Sequence, residues 1–84
     1  LRYVAPVYPI AARERDLAGW VDLEFTVRAD GSVGDVRAVR ADPPGIFEAA
    51  ATTAIAAWRF QPVQQGGKTI EQRAALRVRF ALNQ

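Results

Sequence analysis

The chain has 84 residues, half of them apolar and 24% charged, with 11 basic against 9 acidic side chains and a net charge of +2. This is the composition of one small globular domain, and its apolar runs are too short to cross a bilayer. With no cysteine, histidine or methionine, it excludes a disulfide, a thiol nucleophile, an imidazole base and a Cys/His metal site, and its scattered basic residues do not make a nucleic-acid footprint.

In chain order, residues 1–8 read as extended. From Pro9 to Leu17 the composition is helical, with Pro9 placed for the first helical position and Gly19 for a C-terminal stop. In "WVDLEFTVR" the apolar Val21, Leu23, Phe25 and Val27 alternate with Asp22, Glu24, Thr26 and Arg28. That period of two is a strand with one face buried. Asp30-Gly31 then signals a hairpin, and "VGDVRAVRA" reads as the second strand. Its apolar residues Val33, Val36, Ala38 and Val39 break strict alternation, so a bulge is expected near Gly34.

"DPPG" at residues 42–45 interrupts the chain. Phe47, Ala50, Ala51, Ala54, Ile55 and Trp58 then recur at three and four residues, one apolar face of a helix ending near Trp58, ahead of Pro62. "QQGGK" at 64–68 reads as a flexible loop. In the closing "IEQRAALRVRFAL", Leu76, Val78, Phe80 and Leu82 alternate with Ala75, Arg77, Arg79 and Ala81.

The order helix-strand-strand-helix-strand implies an α+β fold: a three-stranded antiparallel sheet with two helices packed on one face. Asp22 and Glu24 are expected to face Arg77 and Arg79, which would put the first strand in the centre and the last strand at an edge. Leu23, Phe25, Phe47, Trp58, Val78 and Phe80 are the expected core. The last strand carries Arg73, Arg77 and Arg79, which blunt self-association, but no proline, so it can accept an added strand from another chain.

Individual residues allow plainer readings. Trp58, Phe60 and Phe47 suit a core better than a ligand pocket, and the arginine row suits a solvated face or the steering of an acidic partner. Asp16, Asp22, Asp30 and Asp35 are too scattered for a calcium loop. Ser32, the single serine, sits in a turn, and no clustered acid–base pair marks an enzyme. No stacking aromatics line the polar sheet face, as RNA binding would require.

The "VYP" lead-in, Gly19 before the alternating strand, "DG" in the hairpin and "WRFQP" closing the long helix occur together and in order. With these motifs the chain resembles the C-terminal domain family of TonB, the energy transducer of Gram-negative bacteria, from about Pro6 to Leu82. The resemblance implies a single domain over 1–84, neither an enzyme nor a cofactor binder. In this family the domain is periplasmic and is anchored to the inner membrane through an N-terminal helix absent from this chain, where an ExbB–ExbD type motor complex acts. The domain grips the Ton box of an outer-membrane transporter by strand addition and transmits force for uptake of siderophores or vitamin B12.

The partner-binding residues so implied are Tyr8 and Pro9, from the tyrosine–proline motif, and the last strand: Gln72, Arg73, Ala74, Ala75, Leu76, Arg77, Val78, Arg79 and Phe80. Ala5 stands where the family often has glutamine. A homodimer through the last strand is a further expectation. A TolA-like or other periplasmic interaction domain of similar fold is the alternative. The chain begins with leucine and has no signal-type segment, so it reads as a piece of a longer protein.

Overall fold

Pairing of alternating strands organises the computed structural model, which describes residues 2–82. The elements are α1 (Ile10–Glu14), β1 (Gly19–Val27), β2 (Val33–Asp42), α2 (Glu48–Ala56), β3 (Val63–Gln65), β4 (Lys68–Ile70) and β5 (Gln72–Phe80). The main sheet has the order β2-β1-β5, antiparallel throughout. The fold is therefore α+β with the first strand in the centre, as the alternation predicts.

β1 buries Val21, Leu23, Phe25 and Val27 against the helices. Phe47, Ala51 and Ile55, four residues apart along α2, are fully buried, and α1 contributes Ala12. Aromatic rings fill the rest. Phe47 stacks on Phe80 with centroids 4.4 Å apart, and Phe25 stacks on Phe60 at 6.0 Å. Burying one such ring contributes about 1.5–3 kcal/mol. Trp58 and Val78, expected in the core, are only half-buried. Trp58 is shared with the N-terminal lead-in: its Nε1 donates to the Val4 carbonyl at 2.8 Å, and Tyr3 sits edge-on to its ring at 4.7 Å.

Three local expectations are corrected. The first helix spans five residues, not Pro9–Leu17, and Pro9 is its N-cap, at φ −60° and ψ 135°, rather than its first helical residue. Asp16 takes the left-handed conformation at φ 54°, and the Leu17 N–H closes back onto the Ala12 carbonyl at 2.9 Å. Aspartate tolerates that conformation, so the helix stops there and not at Gly19. The "QQGGK" stretch is not a loop but the turn of a second, two-stranded sheet of β3 and β4. Gly66 and Gly67 both have positive φ, 61° and 79°, which a tight two-residue hairpin requires. Finally, β2 carries two bulges. One lies in the region of Gly34 and Asp35, as expected; the other falls at Val39, where the register steps from Asp22↔Arg40 to Leu23↔Ala38. Val39 is the extra residue and is 47% exposed.

Gly19 opens β1 where the chain packs against the end of β2 and the start of α2. A Cβ there would meet the Phe47 ring and the Pro43 Cδ, both at 2.8 Å, and the Asp42 carbonyl oxygen more closely still. Gly19→Ala should therefore destabilise the domain by about 1–3 kcal/mol through overpacking. Urea denaturation measures this, with an unchanged midpoint as the contrary result.

Candidate functional site: the open edge of the sheet

A three-stranded sheet has two edges, and the sequence draws attention only to β5. The two differ in regularity. β5 pairs with β1 without interruption over nine residues, from Val27↔Gln72 to Gly19↔Phe80. β2 is bent by its two bulges, and Asp35 within it has a φ of 50°. Bulges twist an edge away from further pairing. Among the described residues no strand pairs with the outer side of β5.

What β5 presents follows from its pleat. Ala74, Leu76 and Val78 are half-buried towards the helices and Phe80 is fully in the core, while Arg73, Ala75, Arg77 and Arg79 are exposed on the opposite face. Along the edge itself, Gln72 to Phe80 offer main-chain groups. The side chain of Phe80 is spent on the core, so a partner can reach it only through its backbone.

The outer face of the sheet is an ionic lattice. Arg77 makes a two-point pair with Asp22, Nε to Oδ1 at 2.7 Å and Nη2 to Oδ2 at 3.0 Å. Arg40 reaches the same carboxylate at 3.3 Å. Glu24 is shared in the same manner by Arg37 at 3.2 Å and Arg73 at 3.7 Å. Arg73 also donates to the Thr26 hydroxyl at 2.8 Å. Beneath Arg77 lies Trp20, with the guanidinium carbon 3.8 Å from the ring centroid. Exposed ion pairs of this kind contribute only about 0–1 kcal/mol each, so the lattice orients side chains more than it stabilises the fold.

The expected pairing is half right. Asp22 does face Arg77, but Glu24 faces Ala75, and Arg79 lies opposite Trp20. A spacing of two on both strands allows either register. The sequence reading missed Arg37 and Arg40, which are three apart and would lie on opposite faces of a regular strand. The bulge at Val39 turns both towards the β1 carboxylates. The visible signal was the broken alternation at Ala38-Val39.

Tyr8 is brought to the end of the same strand, and Pro9 follows it as the N-cap of α1. The Tyr8 ring packs edge-on against Phe47 at 5.6 Å and Phe80, the last residue of β5, at 5.8 Å. Its hydroxyl donates to the Leu17 carbonyl, and Arg13 lies over its ring at 5.8 Å. The hydroxyl is thus engaged within the fold. An apolar hollow of about 350 Å³ lies elsewhere, where Val4 and Val7 of the lead-in approach Ala50 and Ala54 of α2. It gathers no charged groups. Among the described residues no group of three His, Cys, Asp or Glu side chains converges as metal ligands would, and no helix is long and apolar enough to cross a membrane.

The hydrogen bonds from Arg77, then its charge and that of Arg40, hold the Asp22 carboxyl below its ordinary value of 3.8. A lowered folded-state value gives stability that is present above the unfolded value and lost as pH falls through the folded one. Asp22→Asn should therefore flatten the loss of stability below about pH 4. Urea midpoints across the acid range test this, and parallel curves for the two proteins would contradict it. Tyr8→Phe should cost about 0.5–1.5 kcal/mol by leaving the Leu17 carbonyl without its donor, read as a lower thermal midpoint; an unchanged midpoint would show that bond to be idle.

The family model for the C-terminal region of the Gram-negative bacterial TonB protein matches residues 4–82. The chain is 36% identical over 74 residues to protein TonB of Pseudomonas aeruginosa, a match covering 88% of this chain and 22% of that protein. It is 34% identical over 61 residues to protein TonB of Escherichia coli, covering 73% of this chain and 26% of that protein. The chain thus spans about a quarter of these relatives. Among solved structures, the solution structure of the Pseudomonas aeruginosa TonB C-terminal domain superposes with a TM-score of 0.87 at 33% identity, over 100% of this chain and 85% of that one. The TonB2 protein of Vibrio anguillarum gives 0.75 at 38%, over 100% and 80%. Fold, motifs and relatives agree that this chain belongs to the TonB C-terminal family, the domain that closes TonB-type energy transducers.

Proposed function

We propose that this domain grips the Ton box of outer-membrane transporters by adding it as a strand to β5. In this reading the chain is one periplasmic domain, with residues 1–8 as its extended lead-in. It is held at the inner membrane by a helix outside this chain and driven there by an ExbB–ExbD type motor. The transporter cargo would be a siderophore or vitamin B12. The observation that carries the reading is the contrast between the two sheet edges: β5 is regular over nine residues and, among the described residues, has no strand on its outer side, whereas β2 is doubly bulged.

Strand addition suits a transducer that serves several transporters. Main-chain hydrogen bonds supply affinity with little dependence on side chains. The geometry also suits traction, because a strand drawn along its length loads its hydrogen bonds together. Tyr8 and Pro9 would frame one end of the groove, with Tyr8 fixed by Phe47, Phe80 and the Leu17 carbonyl.

A proline scan from Arg73 to Val78 tests the mechanism. In an antiparallel edge, alternate residues turn their N–H groups towards β1 and away from it. Prolines at the outward set should lower affinity for a synthetic Ton-box peptide by about tenfold or more, with the circular dichroism of the domain unchanged. Prolines at the inward set should disrupt the fold instead. If every folded proline variant bound the peptide as the unchanged chain does, docking on β5 would be wrong.

A further inference from the structure

We infer that the β5 edge selects its occupant by charge, and that it fits an extended segment carrying two acidic side chains two residues apart, placed to meet Arg77 and Arg79. This rests on the strand-addition reading and adds a chemical class to the partner.

The outer face of β5 reads Arg73, Ala75, Arg77, Arg79, all exposed. In an antiparallel pair, residues directly opposite have Cβ atoms about 4.5–5.5 Å apart, and opposite charges there attract while like charges repel. Successive outward residues are about 6.8 Å apart along either strand. An added strand therefore sets its own outward side chains one against each member of this row.

The arginines are prepared for such a partner to different degrees. Arg77 is oriented by its neighbours: Asp22 accepts from Nε and Nη2, and the Trp20 ring lies under the guanidinium. Its Nη1 makes no hydrogen bond among the described residues. The Arg79 side chain has neither ion pair nor hydrogen bond among the described residues. The carboxylates on this face cannot serve it: Asp22 and Glu24 are each already shared between two arginines. Asp42 lines the same hollow as Arg79 but forms no ion pair with it.

A second copy of β5 is the other strand the edge could receive, and the same row opposes it. Two-fold antiparallel pairing that keeps both outer faces on one side sets each outward residue against another outward residue. Centred on residue 75 it places Arg73 against Arg77; centred on 76, Arg73 against Arg79; centred on 77, Arg77 against itself. Registers centred on 78 and 79 likewise oppose arginine to arginine. In the registers centred on 76 to 79 the expected homodimer through this strand therefore sets arginine against arginine with no acid to offset it, whereas centred on 75 Glu71 falls opposite Arg79 and offsets the Arg73–Arg77 contact. A strand with acids at alternate positions turns the arginine contacts favourable.

The test uses the whole chain and three labelled nonapeptides of alternating Thr and Val, identical except at two outward positions two residues apart. These carry Glu and Glu, Gln and Gln, or Lys and Lys. Fluorescence anisotropy at low salt should rank them Glu, Gln, Lys, with the Glu peptide about 3- to 10-fold tighter than the Gln peptide and the gap closing at high salt. In the chain carrying Arg77→Gln and Arg79→Gln the gap between the Glu and Gln peptides should vanish; a gap that persists there would place the charge selection elsewhere and overturn the assignment to these two arginines. Equal binding of the Glu and Gln peptides to the unchanged chain would overturn the charge selection and leave strand addition standing. Binding of none of the three would overturn both.

Discussion

In a three-stranded antiparallel sheet only the middle strand has both sides of its backbone satisfied. β1 occupies that place because it is the strand whose inward residues, Val21, Leu23, Phe25 and Val27, are all buried. Its outward carboxylates then have arginines available on both flanks. Once β1 is central, β2 and β5 must be edges, and the fold has to manage two rows of backbone groups. It manages them differently. Two bulges and a left-handed residue bend β2, whereas β5 is left straight and carries only charge as a guard.

The two faces of the sheet do separate work. The helix side is an aromatic and aliphatic core in which Phe47 and Phe80 stack and Tyr8 closes against both. The outer side has no core to protect and is organised by shared ion pairs. The lead-in is fixed from the helix side. Arg2 and Arg59 exchange two main-chain hydrogen bonds at 2.7 and 2.8 Å, Trp58 holds the Val4 carbonyl, and the Phe60 N–H bonds the Gly31 carbonyl. The "WRFQP" segment thus clasps both the start of the chain and the β1–β2 turn. That explains why an aromatic pair follows the helix at that point.

The strand order and the helix-side core were legible because they rest on periodicity. Four alternating apolar residues in β1 and a three-and-four pattern in α2 leave little freedom. What was not legible depends on a single extra residue or on geometry between elements. One added residue at Val39 changes which arginines share a face, and the broken alternation at Ala38-Val39 marks an irregularity without saying which arginines it turns. The pairing of Arg79 with Trp20 rather than with Asp22 is a matter of register, to which alternation on both strands is blind. The β3–β4 hairpin escaped because its strands are three residues each, although Gly66-Gly67 is itself a hairpin signal. The candidate site was legible as an edge with arginines on it; the part played by Trp20 in immobilising Arg77 needed three dimensions.

The hairpin of β3 and β4 forms its own small sheet, outside the one that β1 organises. It lies between Pro62 and Glu71, with its glycine turn in open space. A unit tied to the body at its two stems is one whose length can vary between related chains. Doubling such a loop costs only about 0.6 kcal/mol in closure entropy, and the β1–β5 ladder starts afresh at Gln72. The tip is therefore a natural point for insertion of a reporter peptide or a fluorescent label, and a place where amide exchange should be fast while the strands of the main sheet stay protected.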